Sequence, residues 1–470
     1  MRVPHTVPDN TLKAYEPSEP TLTLVGERNR RLRAENWTWD ETIPPSLVEE
    51  CIRFFVSQFD DHKRVLPFLE DDNMILLLET LPTTLPLEIV IYLIPDGIYW
   101  KRRCNDTWST MNDVTNYGNS WKRMFAERYV EDFIESEEPG YTDWVEVGNT
   151  LKLCCPFIKK LEISQLQPPR VMEAPADPPD LCKSEDFIPE HLDLSPILTI
   201  LENLEELNLQ FGVKDIGMKF TFKCFSVHNK DIERLAKGLS LSKRLKILRI
   251  SCSDIDDSKL NTILKGLEHC DVFEELEIAH CKITDEGAKA LGYFVTMKMS
   301  LKHLKLQNNL IAAEGAQGLA YALTAIEKAE LETLDLKFNL IGEEGGKYIS
   351  TSLAKSRYPQ HLILAGCGLG EEAGRDLVNM LKVNTTLATM DLTNNALGVE
   401  VGESMAKCLE NNFTILQLDV RNCGFEEESE KLIHLMTFRN REKVRKRLDS
   451  MRSTVTEEGR RPTTFILDDI

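Results

Sequence analysis

Short apolar–polar alternations recur along the second half of the chain, each followed by a segment of helical periodicity. Around Arg249, in LKILRISCSDI (245–255), apolar and polar residues alternate as in a strand with one buried face. The segment DEGAKALGYFVTMKM (285–299) instead spaces its apolar residues for one face of a helix. This pattern predicts a series of strand–turn–helix units, which must stack side by side because no single unit buries its own apolar face.

The strand segments align as an internal repeat. Seven copies fit the frame L-x-x-L-x-L-x-x-N/C-x-L with few substitutions, and weaker copies stand at 158–166 and 204–212. The frame resembles the leucine-rich repeat. Successive copies lie 28 residues apart, with one interval of 30, which resembles the ribonuclease-inhibitor type and implies an α/β horseshoe. The seven copies are 245–255, 273–283, 301–311, 331–341, 359–369, 387–397 and 415–425.

Each position of the frame has a predicted physical role. Alternation sends Leu334 and Leu336 into the core and Asp335 to the concave surface. The N/C position marks the place where the backbone leaves the strand, and a short buried donor there satisfies carbonyls that the sheet no longer pairs. The residues at this position are Ser253, Cys281, Asn309, Asn339, Cys367, Asn395 and Cys423.

The predicted concave face is the candidate partner-binding surface. Its outward positions are polar or charged, mixed in sign and, apart from one imidazole, not aromatic. Such a face suits a protein partner held by complementary charge rather than a small-molecule pocket. The candidate residues are Arg249, Glu275, Glu277, His303, Lys305, Gln307, Asp335, Lys337, Asp391, Asp419 and Arg421.

Four regions are predicted along the chain. Residues 1–44 form an extended arm whose Trp37 and Trp39 are candidates for partner binding, and residues 45–150 form a helical F-box-like cap domain. Residues 151–435 form the leucine-rich-repeat domain, lengthened by a proline-rich insertion at 166–189 and by a segment at 211–231 that could add a strand pair. Residues 436–470 form a basic helix and tail.

The basic helix is predicted to cap the last repeat through its first half. The packing residues would be Leu432, Leu435, Met436 and Val444. Its exposed basic face is a second candidate binding surface for an acidic partner, with Arg439, Arg441, Arg445 and Arg447 as the binding residues.

Composition narrows the classes of partner and location. The formal net charge of −20 disfavours contact with nucleic acid or an anionic membrane, so neither is expected as a partner. The twelve cysteines show no regular pairing pattern, as expected in a reducing cytosol. The N-terminus has no apolar signal core, and prolines and acids interrupt the apolar stretch at 74–95. A cytoplasmic protein is expected.

No catalytic, cofactor-binding or metal-binding residues are predicted, so the chain is not expected to be an enzyme. The segment LIGEEGGKYIST (340–351) looks like a phosphate-binding loop, but Ile341 and Tyr348 replace two required residue types. Sister repeats carry glycine at or next to the same point, which favours close helix packing as the reason for these glycines. His269–Cys270 and His280–Cys281 lack the further ligands of a zinc site.

The order of these parts resembles a known family. The segments FGVKDIGMKF (211–220), LPLEIVIYLIPDGIYWKRRC (85–104), SWKRMFAERY (120–129) and EESEKLIHLMTFRNRE (427–442) carry the match. With the 28-residue array, they are similar to the leucine-rich-repeat subunits of the nexin-dynein regulatory complex. The resemblance implies a non-enzymatic scaffold in the axonemes of cilia and flagella, including sperm flagella, which helps to regulate dynein-driven motility. Implied partners are other subunits, among them an F-box-like leucine-rich-repeat subunit, and the doublet microtubule assembly.

Two alternatives remain open from the residues. The stretch from the LP-x-E start at 85 to Trp108 and Trp121 loosely resembles an F-box, which would make the chain a substrate receptor of a ubiquitin ligase. The repeat type and the acidity are also shared by GTPase-activating proteins of the Ran regulator type. Co-purification with the ligase adaptor would support the first alternative, and accelerated GTP hydrolysis by Ran would support the second.

Overall fold

A computed structural model describes most of the chain and divides it into two compact units. The first unit ends at Lys122 and the second begins at Arg123. The domain boundary predicted near 150 therefore differs from this division, because the helices just before 150 belong to the second unit. The described residues are 46–109, 112–137, 141–166, 191–212, 226–298, 300–325 and 331–457, with side chains described to 449 except at 62, 64 and 65.

The first unit is helical, as the sequence predicts. Ser46 and Glu49 form a capping box that begins the first helix. Tyr99 and Trp100 are fully buried and pack edge to face with ring centroids 5.5 Å apart. The helices are α1 Leu47–Ser57, α2 Phe59–His62, α3 Asp71–Thr80, α4 Leu87–Leu93 and α5 Ile98–Thr107, with 3-10 turns at Lys63–Phe68 and Thr115–Tyr117.

The second unit alternates strands with helices. It begins within α6 Trp121–Ser136 and continues through α7 Trp144–Cys154 and the 3-10 turn Cys155–Phe157. The strands are β1 Lys160–Ile163, β2 Glu206–Leu209, β3 Ile247–Ser251, β4 Glu275–Ala279, β5 His303–Lys305, β6 Thr333–Asp335, β7 His361–Ile363, β8 Thr389–Asp391 and β9 Gln417–Asp419. The helices are α8 Leu194–Ile200, α9 Asn229–Leu241, α10 Asp257–Leu267, α11 Asp285–Met297, α12 Ala313–Ala325, α13 Gly342–Leu353, α14 Glu371–Leu381, α15 Val399–Asn411 and α16 Glu427–Glu457.

Among the described residues, nine strands form one parallel sheet in sequence order, which confirms the predicted α/β repeat architecture. Leucines of the frame lie in register, with Leu248 beside Leu276 and Leu276 beside Leu304, and all three are completely buried. The weak copies near 158 and 204 supply β1 and β2. Leucines of the strands and apolar residues of the helices share one continuous core, as stacked repeats require.

The N/C position acts as predicted at the end of each strand. The Asn339 side chain donates to the carbonyls of Leu306 at 2.8 Å and Leu336 at 2.9 Å. Its oxygen accepts the N–H groups of Asn309 and Ile311 in the preceding repeat, each at 3.2 Å. The thiol of Cys367 donates to the carbonyl of Leu336 at 3.2 Å, and burial raises its pKa to about 12.

The residue before the N/C position is left-handed in seven successive repeats. This φ region suits glycine and asparagine, and it is unusual for a bulky side chain. It bends the chain out of the strand toward the helix. The residues are Cys252, His280, Asn308, Phe338, Gly366, Asn394 and Asn422.

Two of the three glycines of LIGEEGGKYIST, Gly345 and Gly346, allow close packing, whereas Gly342 is left-handed and has open space around it. A Cβ on Gly345 would lie 2.6 Å from Cγ2 of Ile341, and one on Gly346 would lie 2.7 Å from Cβ of Ala373. Both glycines are buried within α13. A side chain at either position would therefore push apart neighbouring parts of the stack.

Helix α6 closes the free edge of β1. Oε1 of Glu127 accepts the N–H groups of Lys159 and Lys160 at 2.8 and 2.9 Å. Glu131 accepts the N–H of Glu162, and Glu135 accepts that of Ser164, each at 2.7 Å. These backbone donors would otherwise form an unpaired sheet edge.

Several predicted features lie outside the described residues. They are the N-terminal arm with Trp37 and Trp39, the insertion at 167–190, and the segment 213–225 with its possible strand pair. They stay predictions. Within the described part of the chain, no helix has both the length and the apolar character needed to cross a bilayer.

Candidate functional site

The strand register aligns one outward-facing residue from each repeat into a row across the concave face. Arg249 lies beside Glu277, and Glu277 lies beside Lys305. Lys305 lies beside Asp335. The row continues through Ile363 and ends at Asp391 and Asp419. Most of the residues predicted for this face therefore come together on one surface.

The first half of the face is a connected ion-pair network. Nε of Arg249 lies 2.9 Å from Oε1 of Glu275 and 3.5 Å from Oε2 of Glu277, and its Nη1 pairs with Glu206. Nζ of Lys305 reaches the same Glu275 oxygen at 2.9 Å. These charges neutralise one another, so they hold the strands together and leave little net charge for a partner.

Glu275 and Asp335 are more buried than an outward position implies. Burial alone would raise the pKa of Glu275, but hydrogen bonds from Lys305 and Arg249 outweigh it and hold that pKa below its usual value. Asp335 is only 3% exposed, and burial raises its pKa although its carboxylate accepts the N–H of Lys337 at 3.0 Å. Asp335 is therefore buried more deeply than an outward position implies, and its contact with a partner stays a prediction.

The second half of the face has a different character. Nδ1 of His303 lies 3.0 Å from Oγ1 of Thr333, and Nδ1 of His361 lies 2.7 Å from Oγ1 of Thr389. Asp391 accepts the N–H of Thr393 at 2.9 Å, and no ion pair to it is recorded in the described residues.

The last strand carries a local pair. Nη2 of Arg421 lies 2.6 Å from Oδ2 of Asp419, and this hydrogen bond is the main reason that the pKa of Asp419 is lowered. Arg421 is exposed, so its guanidinium is presented to solvent together with Lys337, which lies 3.6 Å from Asp335. On this half of the face, Lys337 and Arg421 each lie beside a carboxylate, whereas Asp391 has no ion pair among the described residues.

Sequence reasoning missed the beginning of the network. Lys160 pairs with Glu162 at 3.0 Å and with Glu206 at 3.7 Å, while Asn208 lies 3.4 Å from Nη1 of Arg249. These residues belong to β1 and β2, the two weak repeats. The same outward positions of the frame could have identified them, had the weak copies been extended strand by strand.

The C-terminal helix caps the last repeat, but not through the predicted residues. Leu432 and Leu435 are exposed, whereas Ile433, Thr437 and Asn440 are buried. The Asn440 amide donates to the carbonyls of Asn412 at 3.0 Å and Ile415 at 2.8 Å. The prediction for Leu432 and Leu435 was wrong because a different face of the helix packs on the last repeat. That face contains the buried amide of Asn440, and a search for periodic apolar residues does not detect a polar one.

The four arginines of this helix divide into two roles. Arg439 donates to the carbonyls of Leu409 and Glu410, each at 2.9 Å, so it is part of the cap rather than a free binding group. Arg441, Arg445 and Arg447 are exposed beyond the last repeat. They remain candidates for contact with an acidic partner.

The described residues contain no grouping of three or more His, Cys, Asp or Glu able to hold a metal ion. His280 instead lies 2.7 Å from the amide nitrogen of Asn308 in the next repeat. The acids at helix starts also bond across repeats, because Asp285 accepts the N–H groups of Ala312 and Gly315 at 2.7 and 2.8 Å.

Part of the chain matches a known family model. Residues 269–292, 298–320 and 330–350 match a model described as Leucine Rich repeat, in agreement with the repeat fold of the sheet. The relatives below confirm the resemblance to a subunit of the dynein regulatory complex.

Similar proteins from several species carry the name dynein regulatory complex subunit 5. The one from Macaca fascicularis is 32% identical over 329 residues, which are 66% of this chain and 64% of that protein. The one from Mus musculus is 35% identical over 56% of this chain and 54% of that protein. The one from Chlamydomonas reinhardtii is 29% identical over 46% of this chain and 49% of that protein. The matched part of the chain thus covers about half to two thirds of the length of these relatives.

Proposed function

We propose that this chain is a non-enzymatic interaction subunit of the nexin-dynein regulatory complex in ciliary and flagellar axonemes. There it would bind other subunits, including an F-box-like leucine-rich-repeat subunit, and help to regulate dynein-driven motility. The similarity to proteins named dynein regulatory complex subunit 5, in animals and in a green alga, carries this proposal. It also favours this function over the ubiquitin-ligase and Ran-regulator alternatives.

The architecture supports an interaction role. In the described part of the chain, a sheet of nine parallel strands presents a polar face, and on its second half Asp391 has no ion pair among the described residues. Stacked repeats give such a face a fixed shape, which lowers the entropic cost of binding a large partner. We assign partner recognition on this face chiefly to Lys337, Asp391 and Arg421.

The test follows the full-length chain with an affinity tag in ciliated cells. The expected result is retention in the demembranated axonemal fraction and co-purification with dynein regulatory complex subunits. Recovery only in the soluble fraction, together with a ubiquitin-ligase adaptor, would reject the proposal and favour the F-box alternative.

Charge-reversed variants test the concave face separately. Lys337→Glu combined with Arg421→Glu should reduce recovery of partner subunits at least about tenfold, in line with loss of complementary charge. The matched control reverses the charges of Lys382 and Lys407, which are exposed on helices of the convex side. Equal recovery for both double variants would remove the concave face as the interface.

A further inference from the structure

Three large apolar side chains are exposed together where two neighbouring strands turn toward their helices. Leu310 is 52% exposed, Phe338 is 51% exposed and Leu340 is 71% exposed. Leu310 and Leu340 occupy the same place in successive repeats, directly after Asn309 and Asn339. We call these three residues the apolar edge patch.

Next to the patch, the following repeat has glycines in place of side chains. In the next repeat the equivalent positions are Gly366 and Gly368, both left-handed. A Cβ on Gly366 would lie 2.6 Å from Cδ1 of Phe338, so the ring lies directly over this glycine. Phe338 is itself left-handed, at φ 58°, where a bulky residue is unusual. The ring therefore occupies a fixed position on the surface and does not fill the core.

The helices that follow these turns carry glutamates at one recurring position. Leu310 precedes Glu314 by four residues, and Leu340 precedes Glu344 by four residues. The same helix position holds an exposed glutamate in six successive repeats, and we call this set the acidic row. Its members are Glu286, Glu314, Glu344, Glu372, Glu400 and Glu428.

The acidic row is only partly neutralised. Nζ of Lys289 lies 3.0 Å from both Glu286 and Glu314, and Nη2 of Arg375 lies 3.5 Å from Glu400. For Glu344 and Glu372, in the first turns of the helices that follow the turns of Leu340 and Gly368, no ion pair is present among the described residues. Their negative charge is therefore available to a cationic partner.

We propose that the apolar edge patch and the acidic row together bind a basic amphipathic segment of a partner protein. Apolar side chains of that segment would cover Leu310, Phe338 and Leu340, and its lysines or arginines would face Glu344 and Glu372. Charge decides between occupants, because an acidic segment would be repelled by the row. The proposal builds on the interaction role above, yet it concerns a different surface from the concave face.

The test measures binding of synthetic peptides to the full-length protein by fluorescence anisotropy. The probe is a helical peptide with leucines on one face and lysines beside them. One matched peptide replaces its lysines with glutamates, and another replaces its leucines with serines. The expected result is saturable binding of the leucine–lysine peptide and at least about tenfold weaker binding of both others.

Variants of the protein locate the binding site. Phe338→Asn with Leu340→Ala removes two of the three side chains of the patch. A sister repeat carries Asn394 and Ala396 at these positions, so the variant should keep the left-handed turn. Glu344→Gln with Glu372→Gln removes the flanking charge. Each double variant should weaken binding at least about tenfold, while the control Glu403→Gln with Glu410→Gln, which removes two exposed carboxylates of α15, should not change it.

Two results would overturn this inference. Equal binding of the lysine–serine peptide would mean that charge alone attracts the probe and that the apolar edge patch plays no part. Equal loss of binding in the control variant would mean that the overall negative charge, and not the acidic row, attracts the probe. That second result would leave the proposed function intact, because recovery of axonemal subunits is measured separately.

Discussion

At the scale of single residues, the repeats are joined by a few side chains that serve two turns at once. Asn395 donates to carbonyls of Leu364 and Leu392, each at 2.8 Å, and accepts the N–H groups of Cys367 and Leu369. A cysteine at the equivalent position has only a weak donor to offer. Asparagine repeats are therefore tied to the preceding repeat by more hydrogen bonds than cysteine repeats.

Replacing Asn339 with alanine should lower the free energy of unfolding by about 2 kcal/mol or more. Its removal leaves buried N–H groups of Asn309 and Ile311 without their acceptor, and each unsatisfied buried group costs about 1–3 kcal/mol. Urea denaturation measures the change. The control Asn379→Ala, on an exposed helix position, should change it by less than about 0.5 kcal/mol. Equal effects would show that Asn339 is not a structural link.

The sequence alone correctly predicts the burial of residues whose environment is formed within their own repeat. Leu334 and Asn339 are buried as predicted, because the frame places them against the core of the same unit. The burial of Asp335 and the left-handed Phe338 were not predicted. Burial at a concave position depends on side chains of neighbouring strands, which are about 30 residues away in the sequence. The residues that sister repeats carry at the Phe338 position, most often asparagine, do not predict an exposed aromatic ring there.

At the scale of elements, α6 matches the edge of β1 through a coincidence of spacing. Glu127, Glu131 and Glu135 are four residues apart, which is about 6 Å along a helix. Alternate N–H groups of a strand are about 6.6 Å apart. The three carboxylates can therefore reach successive outward donors of β1. The sequence predicts this helix as part of the cap domain, because a sequence by itself does not show that the helix hydrogen-bonds to the edge of β1.

Replacing Glu131 with glutamine should reduce the loss of stability that accompanies rising pH. Burial raises the pKa of Glu131 to about 8, with smaller contributions from Glu162 and Glu127. The folded state holds this proton more tightly than the unfolded state, so the stabilisation is complete below about pH 4.5 and disappears toward pH 8. The free energy of unfolding, measured at pH 5 and pH 8, should fall less in the variant than in the wild type.

The comparison with an exposed acid makes this pH test specific. Glu403→Gln on α15 changes the same chemical group on an exposed helix surface. The difference in free energy of unfolding between this variant and the wild type should be the same at both pH values. A constant difference for Glu131→Gln as well would show that Glu131 is ionised throughout and that burial does not control its proton.

At the scale of the whole molecule, both ends of the sheet domain are closed by helices that satisfy backbone groups. Carboxylates of α6 accept N–H groups at the first strand, and Arg439 and Asn440 of α16 donate to carbonyls at the last repeat. Terminal units of a repeat stack need such caps because they lack a neighbour on one side. The sequence predicted a capping role for α16 but identified the wrong face.

Replacing Arg439 with alanine should destabilise the last repeat by about 1–3 kcal/mol. The guanidinium is bonded to three carbonyls near the end of α15, those of Leu409, Glu410 and Asn412, where a positive charge is also favoured by the helix dipole. Amide hydrogen exchange should become faster in α15. Arg445→Ala, at an exposed site on the same helix, should leave exchange unchanged, and equal acceleration by both variants would contradict a specific cap.

The paired caps have a mechanical consequence. Each repeat is bonded mainly to its two neighbours, so a pulling force along the stack acts on all the repeats in series. The first event under load is then the peeling of whichever end is held more weakly. The hydrogen bonds of Glu127 and Arg439 oppose that peeling at the two ends of the sheet. A protein built in this way transmits tension along its length and begins to fail at its ends.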